Sequence, residues 1–276
     1  MYAGEYHKAR LLGQKEAKLC QAKGGAPHLP VLEEILAVEV TCGEVSLGLV
    51  DVPLELVVGT RTAGRSRCFS RGFLPLMEED SEFADKWMAL CRAHMEEGIQ
   101  DPIKVYEYMH TFYVVEGHKR VSVLRYFGAV SIPAYVTRIL PARNDSLGSR
   151  IYYEYADFYQ LSGVNYLWFS GAGRFARLQA AVGKGPEETW SEEDRQDFFS
   201  FYTHFSALYG DKSAKELAGR LTTADAMLLF LDTFGYDQVK NCTPAELKPK
   251  FSQLREAFSV KEALQNLVPL KGLWGR

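Results

Sequence analysis

Apolar residues recur at three-to-four spacing through EYHKARLLGQKEAKLCQAK, residues 5–23, which predicts a helix that stops at Gly24-Gly25. HLPVLEEILA adds a second, short helix. From Ser46 to Gly59 the pattern changes to near alternation, SLGLVDVPLELVVG, as expected of one or two short strands with one face toward a core. TRTAGRSRCFSRGFLPL follows as a loop holding Arg61, Arg65, Arg67 and Arg71 and no acid. Acids return in MEEDSEFADKW, where Asp80 or Ser81 is expected to cap a helix and Glu82 to lie in its first turn. Phe83, Trp87, Leu90, Cys91 and His94 or Met95 then mark one face up to Gly98. DPIKVYEYMHTFYVVEG predicts two strands around a polar turn at Met109-His110-Thr111. After GHKR comes a helix with Val121, Leu124 and Phe127 on one face, closed by Gly128. In the strand VSIPAYVTRIL, Pro133 has no N–H for a ladder and predicts an edge position.

At PARNDSLGSR, residues 141–150, the texture changes and a domain boundary is expected. Beyond it the periodicity is helical throughout: RIYYEYADFYQLSG, AGRFARLQAAVG, SEEDRQDFFSFYTHFSALYG, SAKELAGRL, TTADAMLLFLDTFG and TPAELKPKFSQLREAF. The last opens with Thr243, Pro244 and Glu246, a cap, a first-turn proline and the acid of a capping box. The resulting division is an N-terminal helical extension (1–45), an α+β domain (46–140) and an all-helical domain (150–276). SGAGR at 170–174 lacks the G-K-[ST] ending of a phosphate loop. SAKELAGRLTTADAMLLF has the outline of a helix-turn-helix, but its second helix is nearly all apolar and offers few donors to DNA.

Composition narrows the function classes. The 276 residues are 47% hydrophobic and 24% charged, a globular balance with enough length for more than one core. Formal charge is −3, so a nucleic-acid role would need a local basic patch instead of a global field. No window has the uninterrupted apolar length of a membrane span, and the N-terminus is charged throughout. A cytoplasmic protein with no membrane partner is expected. Five cysteines, scattered and without C-x-x-C, predict reduced thiols and no zinc site.

The stretch YVVEGHKRVSVLRYF (113–127) carries the candidate chemistry. A strand delivers Gly117 into a turn just before a helix, so backbone can approach an anion closely while the helix's first N–H groups point at it. Lys119 and Arg120 add positive charge there, and arginine adds a two-pronged donor suited to phosphate oxygens. A solvated turn is the alternative reading of the same residues.

The run from MEEGIQDPIKVYEY through YVVEGHKRVSVLRYFGAVSIPAYV resembles the ParB/sulfiredoxin-like domain, with its G-I-x-x-P-I-x-V, hairpin, G-x-x-R, short helix and I-P-x-x-V. The likeness spans roughly residues 46–140. It implies a small mixed sheet with helices, and a G-x-x-R turn that holds nucleotide phosphates opposite an arginine-containing loop. Carried onto this sequence, the phosphate-binding residues are Gly117, His118, Lys119 and Arg120 with Thr60, Arg61, Thr62 and Arg65. His118 stands where sulfiredoxins have their essential cysteine, so sulfinic-acid reduction is not implied. It also replaces the glutamate of the CTP-binding ParB turn, G-E-R-R. E-G-H-K-R is similar to the D-G-H-H-R of free-serine kinases, with Glu116 for the aspartate and Lys119 for the second histidine. That branch implies Glu116 as base or positioner of an attacking hydroxyl and His118 as a phosphate contact.

The whole chain also resembles the N-terminal region ahead of BMP-type substrate-binding modules in some Gram-positive bacterial proteins. It shows none of their two α/β lobes, so transport-linked binding is not carried over. The expected function is a regulatory module that binds a nucleotide or another phosphate-bearing small molecule. The alternatives are a nucleotide-dependent phosphotransferase of the serine-kinase type and a DNA-associated regulatory protein, the latter disfavoured by overall charge. A nucleoside triphosphate or diphosphate would bring Mg2+ with it, since the sequence has no dedicated metal cage. Homodimerisation is left open.

Overall fold

A computed structural model describes residues 2–210 and 221–257. It is a mixed α+β protein whose chain divides between Ala142 and Arg143 into two compact units. The first holds helix α1 (Tyr2–Ala22), the single-turn α2 (Leu32–Leu36), strand β1 (Thr41–Pro53), strand β2 (Val57–Thr60), α3 (Glu82–Glu96), the hairpin β3 (Ile103–Tyr108) and β4 (Thr111–Glu116), α4 (His118–Tyr126) and β5 (Ser131–Pro141). The second holds α5 (Leu147–Ser162), α6 (Arg174–Ala181), α7 (Glu192–Gly210), α8 (Thr223–Phe234), α9 (Tyr236–Val239) and α10 (Pro244–Ala257). The helix expected over SAKELAGRL lies almost wholly outside the described residues, as does the chain after 257.

Five strands form one sheet in the order β1-β5-β3-β4-β2. β1 and β5 are antiparallel, β5 and β3 parallel, β3 and β4 antiparallel, and β4 and β2 parallel. β5 is therefore interior, contrary to the edge position expected from Pro133. Pro133 pairs with Asp51 of β1, and the ladder to β3 begins one residue later, at Ala134. At the proline itself the strand has a single neighbour, so no second ladder bond is lost.

One face of the sheet, including Val105, Phe112, Val114, Ile132 and Val136, packs on α3 through Phe83, Trp87 and Cys91 and on α4 through Val121 and Leu124. Tyr6 and Ala9 of α1 are buried in this same core, so residues before 46 belong to the sheet's unit and are not an appended extension. α3 starts where Ser81 accepts the Ala84 N–H, and ends before Gly98 with φ 80°. Its Trp87 ring N–H donates to Ser122 of α4 at 2.9 Å, which fixes the two helices against each other. The opposite face carries a smaller cluster of Leu32, Tyr108, Tyr113 and Ile139.

The second unit is held by interlocked aromatic rings: Phe158 meets Phe175 and Trp190, and Phe201 meets Phe205 and Phe230. α8 is buried at every position from Ala224 to Leu231, which denies it the role of a helix laid in a DNA groove. The glycine-rich SGAGR wraps a buried ion pair. Arg174 donates to Asp225 at 2.5 Å, and the same carboxylate accepts the backbone N–H groups of Ser170 and Thr222.

Candidate functional site

The local fold of the G-H-K-R turn follows from one glycine. Gly117 follows β4 directly and caps α4 with φ 104°, and a Cβ at that position would collide with the Ile103 side chain. Only glycine satisfies both conditions without strain. α4 then begins at His118, and its first conventional bond is Val121 N–H to Gly117 O, so the N–H groups of residues 118–120 precede the helical ladder.

β2 runs parallel to β4 and brings Thr60 alongside. The Thr60 hydroxyl and His118 Nε2 lie 2.8 Å apart in a hydrogen bond, although 58 residues separate them in sequence. The hydroxyl also has the carbonyls of Thr62 at 3.2 Å and Val114 at 3.4 Å as acceptors. The Phe69 ring stacks on the imidazole with centroids 6.1 Å apart. Burial, then the charges of Arg65 and Lys119, depress the His118 pKa to about 4, so the ring is neutral at pH 7.

The arginine loop after β2 forms a short 3-10 turn, Ala63–Cys68, preceded by Thr62. Arg65 on this turn is exposed and acts electrostatically on His118, Lys119 and Glu82. Lys119 lies over the Phe83 ring at 4.7 Å, and its pKa is lowered by burial, then by Arg65 and Lys86. Glu82, the carboxylate within reach of these charges, is tied to Lys86 at 2.5 Å. Among the described residues, Arg65 and Lys86 thus act on Lys119, and all three act on Glu82, beside the open end of α4. Lys86 and Glu82 lie on α3, outside both the turn and the loop; the sequence marks Glu82 as a first-turn acid of that helix and carries no sign that either residue meets α4.

Three expected contributors are engaged elsewhere. Arg120 donates through one terminal nitrogen to the carbonyls of Asp101 at 3.1 Å and Pro102 at 2.5 Å, which ties the start of α4 to the approach to β3. Arg61 lies 3.7 Å from the Glu33 carboxylate and 4.8 Å over the Tyr106 ring, while its backbone N–H donates to Val114 O. Glu116 is exposed and paired with Lys104, its partner across the hairpin, at 2.8 Å. That hydrogen bond holds its carboxyl below the usual glutamate range, the reverse of what a general base at neutral pH needs. Among the described residues, no group of three His, Cys, Asp or Glu side chains is placed to hold a metal ion.

Compared with known protein-family models and with curated proteins, the chain matches none.

Proposed function

We propose that the unit containing residues 46–140 is a ParB/sulfiredoxin-like regulatory module that binds a phosphate-bearing ligand, a nucleotide foremost, where the β4–α4 turn meets the Arg65 loop. The observation that carries this reading is the surplus of positive charge at the start of α4: Arg65, Lys86 and Lys119 with Glu82 as the shared acid. Burial first, and then the neighbouring charges of Arg65 and Lys86, lower the Lys119 pKa, and an anion offsets both effects while accepting from the helix's first N–H groups. In this reading Lys119 and Arg65 contact the phosphates, and neutral His118 fixes the turn to Thr60 through Nε2. Arg120 braces the turn. Glu116, kept acidic by Lys104, tempers the field and does not serve as a base, which places a binding module ahead of a phosphotransferase.

Calorimetry with a panel of nucleotides, with and without Mg2+, tests the proposal. Lys119→Ala and Arg65→Ala are each expected to weaken binding about tenfold, the worth of one charge-assisted contact. Glu116→Gln is expected to tighten it, since an opposing charge is removed. Failure of every phosphate-containing ligand to bind would overturn the assignment.

A further inference from the structure

α1 is oriented against the usual economy of an amphipathic helix. It buries its small residues, Ala9 and Gly13, together with Tyr6, and a Cβ at Gly13 would come within 2.7 Å of Pro75 O. Its leucines point the other way: Leu11 is 51% exposed, Leu12 50% and Leu19 53%. At about 100° per residue these three fall on one arc of roughly 120°, interleaved with the exposed Lys8, Lys15 and Lys18. The helix's two carboxylates are turned inward, Glu5 accepting from Tyr126 at 2.6 Å and Glu16 from Ser70 at 2.5 Å. Glu5 also pairs with Lys8 at 2.8 Å. The nearby acids Glu78 and Glu79 are taken by Arg10 and His7 at the side of the helix.

We propose that this leucine and lysine arc of α1 docks the protein on an anionic lipid surface. Half-exposed leucines gain by entering the headgroup boundary, while lysines beside them extend their stems to reach phosphate and carboxylate headgroups. A fluid interface accommodates the two residue types mixed within one arc, where a rigid protein partner needs a matched apolar stripe. A second copy of α1 fits poorly, since lysines would face lysines. Nucleic acid leaves the leucines unused, and Arg10, the arginine of this helix, is already paired with Glu78.

Flotation of the full chain with vesicles tests the proposal, comparing neutral phosphatidylcholine with mixtures containing roughly one-third phosphatidylserine. Partitioning onto the anionic vesicles is expected, weakening as salt is raised because exposed charges are screened. Leu12→Ser with Leu19→Ser, and separately Lys15→Glu with Lys18→Glu, should each reduce it at least tenfold with unchanged circular dichroism and Tm. Equal partitioning onto neutral vesicles, absence of vesicle binding, or full retention by either double variant would overturn it. Capture by immobilised poly-glutamate without any vesicle binding would overturn it in favour of an acidic protein partner.

Discussion

His118 sets the pH behaviour of the candidate site. Its folded pKa of about 4 lies below the ordinary histidine value of 6.5, so the unfolded chain takes up the proton first as pH falls. The stability tied to its neutral form is therefore complete above pH 6.5 and is lost progressively down to about pH 4, with an upper limit on the order of 3 kcal/mol. Denaturant titrations across this range should show His118→Gln losing less stability than the wild type. An NMR titration of the imidazole should place its midpoint near pH 4 in the free protein and higher with a phosphate ligand bound, because a nearby anion favours the charged ring. A midpoint that stays near 6.5 would contradict the buried, cation-flanked environment. The neighbouring Gly117 was legible from its place between a strand and a helix, whereas the Ile103 side chain that excludes any Cβ there comes from the partner strand.

Among the elements, α8 shows how far local signals reach. Thr222 and Asp225 form a complete capping box, each side chain accepting the other's backbone N–H, and that much is readable from the T-x-x-D spacing. Asp225 and Asp232 are the charged residues of this otherwise apolar helix. The Asp225 carboxylate also neutralises buried Arg174 and anchors Ser170, and Asp225 itself is fully buried. Asp225→Asn keeps the shape of the side chain but leaves the Arg174 guanidinium without its counter-charge, so a loss of about 3 kcal/mol or more is expected in urea or thermal unfolding. A loss under about 1 kcal/mol would mean that the hydrogen bonds, and not the charge pair, hold this corner. Arg120 shows the same limit within the first unit. Its place in G-x-x-R suggested a phosphate contact, and its guanidinium instead reaches the Asp101 and Pro102 carbonyls.

For the whole molecule, the division after Ala142 has a direct consequence. All five strands, the helices α1, α3 and α4, and every residue assigned to the candidate site lie before it. Residues 1–142 alone should therefore fold cooperatively and bind phosphate ligands within about threefold of the full chain's affinity, a change of about 0.7 kcal/mol. Circular dichroism melts and calorimetry on this fragment check both statements. A fragment that melts cooperatively but binds nothing would show that the helical unit contributes to the site.

What the sequence determined by itself is the set of features that rest on neighbours a few residues apart. The helix cap at Asp80 or Ser81, the turn around Met109-His110-Thr111, the glycine stops at Gly24, Gly98 and Gly128 and the change to an all-helical texture near 141–150 all depend on local backbone preference and periodicity, and the structure settles the cap on Ser81. Tertiary structure alone decided which strands are neighbours and therefore which charges meet. It put Pro133 in an interior strand at a level where β3 has not yet begun, and joined Thr60 to His118 across 58 residues. It also set Lys86 of α3 beside Lys119 of α4 and spent Arg120 on backbone carbonyls. The physical reason is range: caps, turns and helical faces are settled within one or two turns of chain, while a hydrogen bond or a Coulomb interaction acts over a few ångströms between segments whose separation in sequence carries no record of it.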